Sequence, residues 1–185
     1  MILASGSPQR RAILEQLGVG FSVLVTGADE LTAGRPEEVA VENARRKARA
    51  AVEQIDSGET VLGVDTLVAL EGRLYGKPVD RLQAAATLGA LAGRSHSVVS
   101  GLCLIEDGRE RIAAAVTEVS FRPMSEPAID WYLDTGEWQG RAGGYAIQGR
   151  GAALVRSIHG DYLNVVGLPV ATLLDLLPSL LFSGI

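Results

Sequence analysis

Residues 60–70 read TVLGVDTLVAL, an apolar run with one carboxylate inside it. So apolar a run predicts a central strand of a sheet, continued through TLVAL and closed by a hairpin turn at EGR, residues 71–73. Asp65 then lies within a strand, between Gly63 and Thr66. A carboxylate in such a place is expensive to bury unless it is paired or faces a site, which makes Asp65 the leading candidate for function.

The surrounding pattern supplies the rest of the fold. Ile2 and Leu3 end a first strand, and the spacing of Ile13, Leu14 and Leu17 predicts a helix over residues 8–18, with Ser7 as N-cap, Pro8 as first helical residue and Gly18 as stop. A helix start of this kind carries unpaired N–H groups and the positive end of the helix dipole; with Ser5, Ser7, Arg10 and Arg11 beside it, it suits an anion such as phosphate. A capped helix with solvated arginines is the plainer alternative. FSVLV, 21–25, alternates like a strand, and a polar loop with Asp29 and Glu30 leads to a helix over 36–55 whose apolar face includes Val39, Val41, Ala44, Ala48, Ala51 and Ile55. Its Arg45, Arg46, Lys47 and Arg49 suggest a mostly solvated surface.

A small-residue helix is predicted over 81–93, a hairpin from 95–105 and 112–121 about EDGRE, and a helix capped by Ser125. The glycine-rich stretch 136–151 is interrupted by aromatic and apolar residues, so an ordered loop that closes on something is expected. A strand ALVRSI, a turn at HGD, a loop YLNVVGLP and a buried C-terminal helix within 166–185 finish the chain. Strands and helices alternate early and pair late, which predicts α/β architecture with a mixed sheet.

The 185 residues suit one domain, 1–185, and a net charge of −5 argues against broad contact with nucleic acid backbone. Cys103 is the only cysteine, which excludes an internal disulfide framework; His96 and His159 stand far apart without metal-site context. The apolar stretch 166–185 is interrupted by Pro169, Asp175 and Pro178, so no membrane span is expected and a cytoplasmic protein is.

Taken together, ASGSPQRRAILEQLG, ENARRKA, LGVDTLV, GKP, SHSVVSG, AGGYAIQG and NVVGLP resemble the Maf family of nucleoside triphosphate pyrophosphatases, in order along nearly the whole chain. The resemblance implies hydrolysis of a nucleoside triphosphate between the α and β phosphates with a divalent cation, Mg²⁺ or Mn²⁺. It also implies an elongated mixed sheet like that of inosine triphosphate pyrophosphatases, with flanking helices, two lobes around a central cleft, and a homodimer. Asp65 matches the catalytic base and a metal position. Glu30 matches an acidic loop position suited to metal binding or its support, with a solvated loop acid as the alternative. Lys47 and Lys77 match lysines that meet phosphate, with Ser5, Ser7 and Arg10 around them. Thr66, Gln148 and the AGGYAIQG loop resemble the branch acting on dTTP and UTP, although Gln9 stands where that branch has an arginine. Tyr145 reads as a core residue. The competing reading is a nucleotide-binding regulator of cell division with little catalysis.

Overall fold

The computed structural model describes residues 1–55 and 58–181. Strand β1 (Ile2–Ala4) is wholly buried and runs parallel to two neighbours, β2 (Ser22–Val23) on one side and β3 (Val61–Leu70) on the other. Helix α1 (Pro8–Gln16) connects β1 to β2, and helix α2 (Pro36–Val52) connects β2 to β3. Beyond β3 the pairing is antiparallel: β4 (Arg73–Tyr75) folds back on it through Glu71 and Gly72, both at positive φ (51° and 80°). Helix α3 (Arg81–Leu91) follows, its N–H of Gln83 capped by the Asp80 carboxylate at 2.7 Å. The long strands β5 (Ser95–Glu106) and β6 (Arg109–Phe121) then pair along their full length around Asp107 and Gly108. After helix α4 (Glu126–Leu133) and the glycine-rich stretch, β7 (Val155–His159) joins the far side of β6, with a register shift at Ser120 and Phe121. The sheet order is β2-β1-β3-β5-β6-β7, with β4 beside β3. Two short helices close the described chain, α5 (Tyr162–Val166) and α6 (Val170–Leu176).

The alternation of β3 sorts its side chains onto two layers. Leu62 and Val64 join Leu3, Ile13, Leu14, Leu168 and Leu173 under α1 and α6. Val61 packs on the opposite face with Ala44, Ala48 and Ala51 of α2. On that second face α2 comes unusually close, because the sheet offers glycines there: a Cβ on Gly63 would fall 2.1 Å from the Ala44 carbonyl oxygen, and one on Gly101 would fall 2.2 Å from that of Ala40. A third cluster, including Val68, Leu88, Phe121, Tyr132, Trp138 and Tyr145, joins α3, α4 and the glycine-rich stretch to the sheet.

Several local expectations are corrected. Strand β2 is two residues long, not five, since β1 offers it only a short edge. Helix α2 stops at Val52 rather than at 55. Ser7 and Ser125 stand at the N-cap positions of α1 and α4, but neither side chain caps; the Ser7 hydroxyl donates to Gln9 Oε1 at 3.1 Å. The segment expected as the loop YLNVVGLP contains α5, capped by Asp161 through the Leu163 N–H at 2.7 Å and ended by Gly167 at φ 131°. The C-terminal helix is limited to α6, followed by a 3₁₀ turn at Pro178–Leu180; positions 182–185 of the expected helix lie outside the described residues. Among the described residues no helix is long and apolar enough to cross a membrane.

Candidate active site

Parallel pairing of β1 and β3 places Ala4 beside Gly63, so the chain leaves β1 at the level where β3 reaches Asp65. Ligands of open α/β sheets gather outside such strand ends, and here a cleft of about 470 Å³ opens. Ser5, Ser7, Arg10, Glu30, Lys47, Asp65, Thr66, Lys77 and Gln148 all line it.

Asp65 points to the α2 face of the sheet and is 5% exposed. The close seating of α2 brings two of its side chains, one helical turn apart, onto this carboxylate. Lys47 Nζ lies 2.6 Å from Asp65 Oδ1, and Asn43 Nδ2 donates to Asp65 Oδ2 at 2.9 Å. Lys47 also reaches Glu30 Oε1 at 2.6 Å, so a single ammonium bridges the two acids. Asn43, fully buried, fixes the loop that carries Glu30: its Oδ1 accepts from the Leu31 N–H at 2.7 Å and its Nδ2 donates to the Leu31 carbonyl at 3.0 Å. A carboxylate offers about four acceptor sites, so Asp65 retains capacity beyond these two partners.

On the other layer Arg10 ties three segments together. Its Nε donates to the Gly167 carbonyl at 2.8 Å, Nη1 to Ser5 Oγ at 2.7 Å and Nη2 to Thr66 Oγ1 at 3.0 Å. Burial pushes the Arg10 pKa down, and the charges of Asp65 and Glu30 push it back up. Most of the donor capacity of this guanidinium thus goes to the protein, holding the turn before α1, strand β3 and the end of α5 in register. Ser5 Oγ also accepts from the Ser7 N–H at 3.3 Å, and Thr66 Oγ1 lies 2.9 Å from Ser100 Oγ. The start of α1 opens into the cleft, bringing first-turn N–H groups that no helix pairs internally.

The remaining wall comes from two loops. Gly143 N donates to the Gly76 carbonyl at 3.1 Å, fastening the glycine-rich stretch to the residue before Lys77. Gln148 and Lys77 are exposed at this wall, and Tyr145 is buried in it. The Tyr145 hydroxyl meets His96 Nε2 at 2.9 Å; burial lowers the His96 pKa to about 4 and raises that of Tyr145. Tyr145 is therefore both a core residue and a cleft residue.

Sequence reasoning missed Asn43, which sits four residues before Lys47 within a helix. The only available signal was a poor helix former on the apolar side of α2. It also missed Arg141 at the mouth of the glycine-rich stretch. Among the described residues no group of three or more His, Cys, Asp or Glu could hold a metal ion. Glu30 and Asp65 nevertheless form a pair of oxygen donors with one cation-sized position between them, filled here by the Lys47 ammonium. Such a pair fits a hard cation that takes its other ligands from water and substrate phosphates.

The model of the family described as Maf-like protein matches residues 1–180. A curated relative from Symbiobacterium thermophilum, named dTTP/UTP pyrophosphatase, is 48% identical over 172 residues, covering 92% of this chain and 88% of its own. Relatives of the same name from Thermococcus gammatolerans and Deinococcus radiodurans are 45% and 42% identical, covering 92% and 96% of this chain and 91% of each of theirs. The solved structure of the Staphylococcus aureus Ham1 protein superimposes with a TM-score of 0.44 at 17% identity, over 65% of this chain and 70% of that one. With a family match spanning nearly the whole sequence and relatives covered almost end to end, this chain belongs to the Maf family.

Proposed function

We propose that this chain hydrolyses nucleoside triphosphates, dTTP and UTP foremost, at the α–β phosphoanhydride, releasing a nucleoside monophosphate and pyrophosphate. The observation that carries the reading is Asp65: a buried carboxylate on a central strand, oriented by Lys47 and Asn43 and facing a cleft whose rim is a helix start. Asp65 acts as the general base on the attacking water, a task for which an acceptor must be held in place. Lys77 and the turn from Ser5 to Ser7 bind phosphate oxygens, and Arg10 keeps that turn against Thr66. Gln148, with amide donors and an acceptor, is suited to the mixed edge of uracil or thymine. The dTTP/UTP choice is supported by the names of the relatives.

A divalent cation, Mg²⁺ or Mn²⁺, held by Glu30 and Asp65 together with phosphate oxygens, would offset charge building on the leaving pyrophosphate. We read the chain further as one domain, two lobes around the cleft, working in the cytoplasm as a homodimer, whose mass light scattering would read, without a nucleic acid or membrane partner. Product analysis tests the reaction. UTP should yield UMP and pyrophosphate in equal amounts, whereas UDP and orthophosphate would mean cleavage at the β–γ bond and defeat the assignment.

A further inference from the structure

Reading the cleft as a triphosphate site leaves one of its charged side chains without a task. Among the described residues, six charged ones line the cleft: Arg10, Glu30, Lys47, Asp65, Lys77 and Arg141. The two acids are already matched. Lys47 bridges both of them, and Arg10, buried near both, spends its donors on Ser5, Thr66 and Gly167. The surplus positive charge of the cleft therefore rests on Lys77 and Arg141, and a polyanion is the ligand that such a surplus attracts.

The local fold presents Arg141 deliberately. It follows Gly140 at φ 69° and precedes Gly143 and Gly144 at φ 68° and 69°, a sequence of left-handed glycines that turns the backbone tightly around it. A Cβ at Gly143 would lie 2.7 Å from the Val68 side chain, and the Gly143 N–H donates to Gly76, so this turn is pressed on β3 and tied to the segment carrying Lys77. Both cations thus belong to one wall. Arg141 itself is half-buried, and its Nε is buried without a hydrogen-bond partner among the described residues. Buried N–H donors are nearly always satisfied, and an exception calls for an explanation. Burial also pushes the pKa of this guanidinium down, while Tyr132 and Glu137 oppose that shift.

We propose that Arg141 is a substrate-binding residue whose guanidinium, beside Lys77, grips the polyphosphate tail that leaves as pyrophosphate. A planar fork of N–H groups matches phosphate oxygens in a way that a lysine cannot. The assignment rests on the nucleotide reading of the cleft and adds to it a residue that acts on the phosphate end, not on the base.

Calorimetric titration of the intact protein with tripolyphosphate and, separately, with UMP tests it, comparing wild type, Arg141→Gln and Arg141→Lys, each checked for its fold by near-UV circular dichroism. Arg141→Gln should lose about 10- to 100-fold in tripolyphosphate affinity, with UMP affinity unchanged. Arg141→Lys should fall between them, and it decides the matter if the glutamine variant does not fold. Undiminished tripolyphosphate affinity in the folded variants, equal losses for both ligands, or no tripolyphosphate binding by wild type would overturn the proposal. Selective loss in a protein that releases no pyrophosphate from any nucleotide would support Arg141 while removing the enzymatic reading. Turnover with undiminished affinity in the variants would do the opposite.

Discussion

Asp65 is a carboxylate inside an apolar strand and must be compensated, which Lys47 and Asn43 do at 2.6 and 2.9 Å. These compensators were only half legible in the sequence. Lys47 stood out through the resemblance, whereas Asn43 looked like one more polar residue on a long helix, and only the fold reveals that it is fully buried with its amide serving both Asp65 and the Leu31 backbone. Replacing Asn43 with alanine removes these bonds at once and strands the part-buried Leu31 N–H and a buried carboxylate oxygen of Asp65. We expect a loss of about 1–3 kcal/mol in urea unfolding, together with slower turnover as Asp65 and Glu30 lose their fixed positions. Wild-type stability and turnover in the variant would contradict this role. Arg10 teaches the converse lesson: its charge suggested phosphate, but the structure engages it with three protein acceptors, which charge counting along a helix could not foresee. His96 is a third case, a lone histidine in a strand that burial keeps neutral down to about pH 4. Its folded pKa lies below the value of 6.5 expected of a free imidazole, so the unfolded chain binds the extra proton first. The contribution of His96 is thus complete above pH 6.5 and is lost as pH falls towards 4. In His96→Gln the slope of stability against pH across that window should flatten; an unchanged slope would mean that His96 does not titrate as described.

At the scale of elements, α2 is the part on which the site most depends. Its start at Pro36, its acidic first turn of Glu37 and Glu38 and its alanine-rich face were readable from local rules. Its distance from the sheet was not, because that is set by Gly63 and Gly101 on two other elements. Gly63→Ala forces a methyl group into the Ala44 carbonyl, and overpacking of this kind costs about 1–3 kcal/mol or more. The expected result is a lower urea midpoint and, in whatever fraction folds, a large drop in turnover, since α2 can no longer deliver Lys47 and Asn43 to Asp65. A folded, fully active Gly63→Ala protein would mean that close helix seating is not what aligns the site. The glycine-rich stretch was also legible as ordered, its aromatics buried among α3 and α4. Helix α5 was missed, although Asp161 and Gly167 mark its ends, because five residues are too few to show a period and its β-branched pair reads as loop or strand.

For the whole molecule, the mixed α/β class followed from the order of local patterns, while the strand order did not. Parallel pairing of β1 with β3 joins segments about sixty residues apart in sequence, and no local periodicity records such a contact. That pairing brings the turn at Ser5, the acid at Asp65 and the lysine at position 47 into one cleft, and the glycine-rich stretch closes the far side from more than seventy residues away. The motifs quoted from the sequence are therefore scattered along the chain but gathered in space. We propose that this gathering serves hydrolysis with Asp65 as base. This is tested most directly by pyrophosphate release from dTTP, UTP and the purine triphosphates with Mg²⁺ or Mn²⁺, comparing wild type with Asp65→Asn. Metal-dependent turnover favouring dTTP and UTP is expected, reduced about 10²- to 10⁴-fold in the variant while its fold is retained. Full activity in Asp65→Asn, or no pyrophosphate from any nucleotide with the wild-type protein, would contradict it.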